Sequence, residues 1–325
     1  MADNSLENYQ NTNVLDDEID LKELFTVLWG AKLIISFITG LAAVGSVLYS
    51  LSMPNVYESK ALLAPKGESS VVGLAGLARQ YGGIASIAGI NIGGGGVGPS
   101  KYVMAQQKIK SLDFFTRYLY EEIVLDLMAV DHWDAASGVV VYNTNVFDIK
   151  SRTWLRDASH RRQAKPSEQE AHRAFLTMLT LSEDATAGVV MIAIRHQSPF
   201  VAKAWVDLII TSVTEEFRGS DIEEAQGSIA FLEEQRARTT LVALDEVFAQ
   251  LIEEQTKTIM LANVSKDYIF TVIDPAVVPE LKAEPNRALI CILGTLLGGL
   301  FGTLLVLVRH YAFGYSDLCD SGGKG

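Results

Sequence analysis

Two long apolar runs lie near opposite ends of the 325-residue chain, at residues 33–51 and 288–308, and neither contains a charged residue. Each is close to the ~20 residues that cross a ~30 Å hydrocarbon core as a helix. No comparable run occurs between residues 52 and 287. The pattern predicts two transmembrane helices, so that residues 1–32 and 309–325 share one side of a membrane and the middle of the chain faces the other.

Basic residues give this topology a direction, although the bias is small. Lys22 and Lys32 precede the first run and Arg309 follows the second, whereas Lys60 and Arg287 flank the opposite side. The positive-inside rule therefore places both ends in the cytoplasm and exports the middle. The leading region is acidic and no convincing cleavage site follows the first run, which favours a retained signal anchor over a cleaved signal peptide.

A short amphipathic pattern precedes the first run. Leu21, Leu24, Phe25 and Leu28 follow the i, i+3, i+4, i+7 spacing of one helix face. The segment 19–29 is predicted to be a helix. It either lies in the membrane interface or simply extends the transmembrane helix.

The exported region alternates between strand and helix patterns. Alternating or β-branched stretches predict strands at residues 57–65, 139–142, 188–195 and 268–273, and helical patterns occupy residues 102–110 and 112–128. Ser167 followed by Glu170 forms a capping box for a further helix. These elements predict an α/β or α+β domain with a small mixed sheet. Residues 67–98, with eleven glycines, are predicted to be a mobile loop because glycine leaves the backbone free.

A stretch of about 65 residues, from Pro199 to Val264, contains no further proline and only Gly219 and Gly227. It predicts one long helix, or two helices joined near residues 218–220. An apolar stripe and an acidic face on this helix favour contacts with neighbouring copies of the chain. The proposed oligomer residues are Ile229, Leu232, Glu234, Leu244, Val247 and Leu251.

Small residues recur in both apolar runs. Gly294, Gly298 and Gly302 form two overlapping G-x-x-x-G steps, and Ser36 and Gly40 repeat the spacing in the first run. Such stripes allow close approach of helix backbones. They predict packing between the two helices of one chain, packing between protomers, or both.

Three prolines, Pro275, Pro279 and Pro285, lie just before the second run. Because proline fixes φ and donates no backbone hydrogen bond, they predict a stiff extended strap that ends where the helix begins.

Charge and residue types exclude several classes of function. The net charge of −12 does not favour nucleic-acid binding, and the only two cysteines, Cys291 and Cys319, lie outside the exported region. Histidines are dispersed, and no nucleophile lies beside a base at a recognisable spacing. No catalytic residue, metal site or cofactor is predicted.

These features together resemble the Wzz-type O-antigen chain-length determinants, which are polysaccharide co-polymerases of bacterial inner membranes. The resemblance rests on the helix at 19–29, the segment Tyr-Glu-Ser-Lys-Ala at 57–61, the strand and strap at 268–285, and the glycine-striped second run. It covers nearly the whole chain, and the strap followed by Pro285-Asn286-Arg287 is its most specific part.

The resemblance implies an α+β membrane protein with two transmembrane helices flanking a periplasmic α/β base domain at 52–287, from which a long helix at 199–264 protrudes. It implies a ring homo-oligomer, commonly an octamer, in the inner membrane. Such a protein limits the length of a lipid-linked polysaccharide together with the O-antigen polymerase and forms no bonds itself. The tail at 309–325 has no phosphate loop, so a fused tyrosine kinase is not expected. A scaffold for polysaccharide export, without length control, is the alternative.

Overall fold

The computed structural model describes residues 21–66, 101–158, 163–184, 188–238 and 241–320. The predicted glycine-rich loop at 67–98 lies outside these ranges. The chain divides into two compact units, one drawn from Met1–Met53 and Pro285–Gly325 and the other from Pro54–Glu284.

The first unit contains three helices: α1 (Leu21–Gly30), α2 (Lys32–Ser52) and α9 (Arg287–Asp320). Two stretches, Lys32–Ser52 and Arg287–Tyr311, are long and apolar enough to cross a membrane. Their apolar side chains are largely exposed in the isolated chain, as expected for a surface that lipid covers.

The break between α1 and α2 is a single residue. Ala31 donates its amide to the Val27 carbonyl and accepts from the Ile35 amide, so backbone hydrogen bonds continue across it. Phe25 and Trp29 stack on α1 and are exposed, and the Lys32 ammonium lies 5.1 Å from the Trp29 ring centroid. The predicted amphipathic helix is therefore present from Leu21 onward.

The second unit is built on a four-stranded sheet with the order β6-β7-β1-β8. Its strands are β1 (Tyr57–Pro65), β6 (Leu179–Asp184), β7 (Val189–His196) and β8 (Phe270–Asp274). Every neighbouring pair is antiparallel, so the predicted mixed sheet is wrong. Strands β7 and β8 run parallel to each other, but β1 lies between them and is antiparallel to both.

Helices pack on this sheet and complete the core. They are α3 (Lys101–Ile109), α4 (Leu112–Phe114), a π-helical turn (Phe115–Leu119), α5 (Tyr120–Met128) and α6 (Glu168–Met178). Phe114, Phe115 and Phe175 are fully buried beside Ile192 and Ile194 of β7. The Ser167 side chain accepts the Glu170 amide at 3.2 Å, which confirms the predicted cap of α6. Two small antiparallel hairpins pair β2 (Val130–Asp134) with β3 (Val139–Tyr142), and β4 (Phe147–Asp148) with β5 (Thr153–Trp154).

The long helical stretch predicted at 199–264 is a hairpin of two helices. Helix α7 (Pro199–Arg238) has 40 residues, about 60 Å at 1.5 Å per residue, and α8 (Val242–Val264) returns beside it. Both predictions, a single helix and two helices joined near residues 218–220, are therefore wrong. Gly219 remains helical because glycine costs a helix only ~1 kcal/mol. The first helix ends at Arg238 and the second begins at Val242, preceded by Leu241 in an extended conformation (φ −89°, ψ 115°).

Candidate functional site

Helices α2 and α9 approach each other along Gly294, Gly298 and Gly302, named here the glycine seam. A Cβ atom placed on Gly294 would lie 2.5 Å from the Ser46 Cβ, and one on Gly298 would overlap the Ala42 Cβ. Real Cβ atoms essentially never come this close, so these positions require glycine unless the helices separate. The structure thus shows the glycine stripe packed within one chain.

The α2 side of the seam is not the predicted one. Gly40 has no atom within 4 Å of an added Cβ, and Ser36 is exposed, so both lie away from α9. The seam instead contacts Thr39, Ala42 and Ser46. Thr39 Oγ1 donates to the Ile35 carbonyl and Ser46 Oγ to the Ala43 carbonyl, each at 2.8 Å, so neither hydroxyl is left unpaired in the apolar contact.

The proline strap, residues 275–285, lies beside β1 without regular secondary structure and bends at residues 280–281. Ser59 Oγ, fully buried, donates to the Val277 carbonyl at 2.8 Å. The Val56 amide donates to the Glu284 carbonyl at 2.9 Å, and the Ala283 amide donates to the Val56 carbonyl at 2.8 Å. The strap is therefore bonded to the sheet by few contacts, and the bend interrupts the predicted extension.

The strap ends as predicted, immediately before a helix. Asn286 precedes α9, its Oδ1 accepts the Leu289 amide at 3.3 Å, and its carbonyl accepts the Ile290 amide. Asparagine is a preferred residue at this capping position. Pro275 is exposed, Pro279 is half-buried and Pro285 is buried.

An ionic and hydrogen-bonded group joins the strap to three strands of the sheet. The Arg195 guanidinium on β7 donates to Glu284 Oε1 at 2.9 Å and to Thr180 Oγ1 at 3.1 Å, and its Nε lies 3.7 Å from Glu58 Oε2. The charged side chains are about one-third to one-half exposed, so each pair contributes little alone. Together these contacts hold Glu284, near the end of the strap, beside β1, β6 and β7.

The apolar stripe predicted to contact neighbouring copies is largely buried inside the hairpin. Leu232 of α7 packs against Val247, Phe248 and Leu251 of α8, with Leu244 and Ile252 at the edge. This group is named the hairpin core. The sequence predicted that this stripe contacts neighbouring copies, but α8 of the same chain covers most of it.

The other two proposed oligomer residues lie differently. Ile229 is half-buried, and Glu234 is exposed and pairs with Arg238 one turn later. Near the turn of the hairpin Arg236 pairs with Asp245, and near its opposite end Arg218 donates to the Ser265 carbonyl at 2.8 Å. The exposed apolar side chains of the hairpin are instead Phe231, Leu241, Val242, Met260, Leu261 and Val264.

His196 holds a structural position rather than a catalytic one. Its side chain is buried, its Nδ1 accepts the Ser198 amide at 3.0 Å, and its Nε2 donates to the Asp126 carbonyl at 3.0 Å. The ring packs on Trp205 with centroids 5.1 Å apart. Both nitrogens are therefore used. Burial lowers the pKa of His196, because it disfavours the charged imidazolium.

This lowered pKa predicts a pH-dependent stability. The unfolded chain binds a proton near the ordinary histidine pKa of ~6.5, while the folded chain resists it. The stability that the neutral, buried His196 contributes is therefore fully present above pH ~6.5. It is lost as the pH falls from ~6.5 toward the lower pKa of His196 in the folded protein. Chemical unfolding of the full-length protein in detergent at pH 7.5 and 5.5 measures this loss. We expect His196→Gln to reduce the pH dependence relative to the unmodified protein. An equal pH dependence in the two proteins would contradict the assignment.

Two family models match parts of the chain. A family model for the chain length determinant protein, Wzz, matches residues 17–122. This part of the chain is thus similar to the Wzz chain length determinants. This segment includes α1, the apolar helix α2 and strand β1. A second model, described as a G-rich domain on putative tyrosine kinase (GNVR), matches residues 241–311, which include α8, β8, the proline strap and most of α9.

Solved structures and curated proteins were also compared. A full-length bacterial polysaccharide co-polymerase has 13% identity and a TM-score of 0.38, covering 91% of this chain and 99% of its own. A fragment of WzzB, a polysaccharide co-polymerase from Salmonella Typhimurium, has 13% identity and a TM-score of 0.28, covering 71% of this chain and 100% of its own. No curated protein matches the chain.

Proposed function

We propose that this protein regulates the chain length of a lipid-linked surface polysaccharide, the O-antigen of lipopolysaccharide. It acts without catalysing bond formation, as an oligomeric assembly in the bacterial inner membrane together with the O-antigen polymerase. The observation that carries the proposal is the chain-length-determinant match over residues 17–122. That match contains the first apolar helix and the strand that pairs with both β7 and β8.

The geometry supports a scaffold rather than an enzyme. The glycine seam fixes the helix pair α2–α9, and the backbone then passes directly from the capped start of α9 into the proline strap. The Ser59 hydroxyl of β1 donates to the Val277 carbonyl of the strap, and the Arg195 guanidinium pairs with Glu284. Packing and pairing of this kind support a structural role within the proposed assembly.

Self-association forms part of the proposal. A second copy of the chain would cover Met260, Leu261 and Val264, three exposed apolar side chains within five residues of α8, because grouped exposed apolar residues often mark a contact surface. We propose a ring, with an octamer as the expected size. Both chain ends lie in the cytoplasm and residues 52–287 lie in the periplasm. Mass measurement in nanodiscs tests the assembly, and a predominantly monomeric protein would contradict it.

The export scaffold remains the second candidate, because the strap and the membrane helices suit it equally well. A deletion strain separates the two functions when its surface polysaccharide is separated by length on a gel. Loss of a modal length with polymer still at the surface supports length regulation. Loss of all surface polymer supports the export scaffold, and an unchanged profile contradicts both.

The description of the second family model mentions a putative tyrosine kinase. We propose that the present chain has no kinase activity of its own, because its sequence lacks a glycine-rich phosphate loop followed by Lys-Ser or Lys-Thr. Incubation of the purified protein with labelled ATP and Mg²⁺ tests this point. Incorporation of phosphate into tyrosine would contradict it.

A further inference from the structure

A cavity of about 250 Å³ lies in the second unit, where the ends of α5, α6 and β7 meet the end of the strap. Its lining combines the apolar side chains of Leu127, Val130 and Met178 with the polar side chains of Arg195, Gln197 and Glu284. None of the expectations drawn from the sequence involves this cavity.

The size and lining of the cavity restrict what it can hold. Clefts for drug-sized ligands have volumes of roughly 300–1,000 Å³, so this smaller cavity suits one ring rather than an extended molecule. A pyranose has an apolar face of C–H groups and a rim of hydroxyls. It therefore needs an apolar wall on one side and hydrogen-bonding groups around its edge, and this lining provides both.

Gln197 lines the cavity, and within the described ranges no hydrogen bond joins its side-chain amide to another residue. An amide both donates and accepts, so it can satisfy the mixed hydrogen bonding of a sugar hydroxyl. Glu284 adds an acceptor, and Arg195 adds donors that Glu284 and Thr180 hold in a fixed orientation.

The wall of the cavity is held by groups whose hydrogen bonds are satisfied. His196 bonds to the Asp126 carbonyl and to the Ser198 amide, and the Asp126 carboxylate accepts the Tyr142 hydroxyl at 2.5 Å. These bonds join β7, α5 and β3. The cavity is therefore shaped before any ligand enters, which reduces the ordering cost of binding.

The charges around the cavity select against acidic ligands. The lining includes one guanidinium, of Arg195, and two carboxylates, of Glu284 and Asp126, so it carries an excess of negative charge. An anionic sugar would bring a further like charge to this site.

We propose that this cavity binds a single neutral pyranose, a hexose or an N-acetylhexosamine, within a polysaccharide chain. The assignment of a polysaccharide as the source of that sugar rests on the proposed function. The binding itself rests on the cavity, its lining and the Gln197 amide, which no described residue engages. Gln197, Arg195 and Glu284 bind the rim of the sugar, and Leu127, Val130 and Met178 pack against its face.

The test uses the full-length protein in nanodiscs and saturation-transfer NMR with three probes: methyl α-glucoside, methyl N-acetyl-β-glucosaminide and methyl β-glucuronide. We expect transfer to at least one neutral glycoside and weaker transfer to the glucuronide. Gln197→Leu keeps the side-chain size but removes the amide, so binding should weaken about tenfold. Gln226→Leu, at an exposed glutamine of α7, is the matched control and should bind as the unmodified protein does.

Absence of transfer to both neutral glycosides, equal binding by the two glutamine variants, or a preference for the glucuronide would overturn the proposal. If Gln197→Leu does not fold, sugar binding by Thr177→Arg is measured instead. Thr177 is an exposed residue at the same cavity, so a large side chain there should block entry of the sugar. Sugar binding is measured on purified protein and chain length on the deletion strain. Either proposal can therefore fail while the other stands.

Discussion

In a strain that carries Gly298→Leu, we expect the surface polysaccharide to lose its modal length while the protein still reaches the membrane. Even a methyl group on Gly298 would overlap the Ala42 Cβ, so a leucine forces α2 and α9 apart. Overpacking of a close contact costs typically 1–3 kcal/mol, and these helices have no hydrophobic driving force to restore their contact in lipid. Polysaccharide length is read on gels, and protein abundance is read by immunoblotting of membranes.

Gly40→Leu is the matched control for this experiment. Gly40 lies in the other apolar helix, and an added Cβ there meets no atom within 4 Å. We expect a normal polymer profile, because the same substitution at Gly40 points away from α9.

The helix contact itself is measured by cysteine cross-linking. A Cβ on Gly299 would lie 3.6 Å from Thr39 Oγ1, so cysteines at positions 39 and 299 fall within disulfide range. Oxidation should link them in the control protein and in Gly40→Leu, but much less in Gly298→Leu. An unchanged cross-link in Gly298→Leu would contradict the seam.

Local patterns predicted much of the sheet, because half-buried strands and capped helices leave signals within a few residues. Strand β1 occupies the predicted range Tyr57–Pro65, and the Ser167 cap lies at its predicted position. The turn of the hairpin left no such signal. Residues 239–241, between the two helices, include neither glycine nor proline, whereas the glycine that drew the prediction, Gly219, lies within a continuous helix.

The choice of helix face also escaped prediction. Ser36 and Gly40 have the same four-residue spacing as the glycines of α9, yet α9 contacts Thr39, Ala42 and Ser46. Small residues occur on both faces of α2, and only the position of the partner helix decides which face is used. The cavity was equally inaccessible, because its lining comes from Leu127, Met178, Gln197 and Glu284, which are far apart in the sequence and meet only in the folded domain.

The second large effect is expected for Phe248→Ala in the hairpin core. Phe248 is 4% exposed and packs with Leu232, Val247 and Leu251, so its truncation removes buried contacts and leaves a cavity. Buried phenylalanine-to-alanine changes cost about 3–5 kcal/mol. The hairpin core is small and separate from the core of the sheet. We therefore expect local opening of the α7–α8 tip rather than unfolding of the domain.

Phe231→Ala is the control, because Phe231 is 54% exposed and neighbours Leu232 in the sequence. Hydrogen exchange of the full-length protein in nanodiscs distinguishes the two variants. Phe248→Ala should lose hydrogen-exchange protection in α8 while β1 and β7 stay protected. Phe231→Ala should keep protection in α8, because its ring is exposed. Because length regulation through an assembly depends on shape, Phe248→Ala should also shift the modal polymer length without abolishing polymer synthesis. Loss of protection throughout the sheet in Phe248→Ala, or an equal loss in α8 for both variants, would show that the hairpin is not a separately stabilised element.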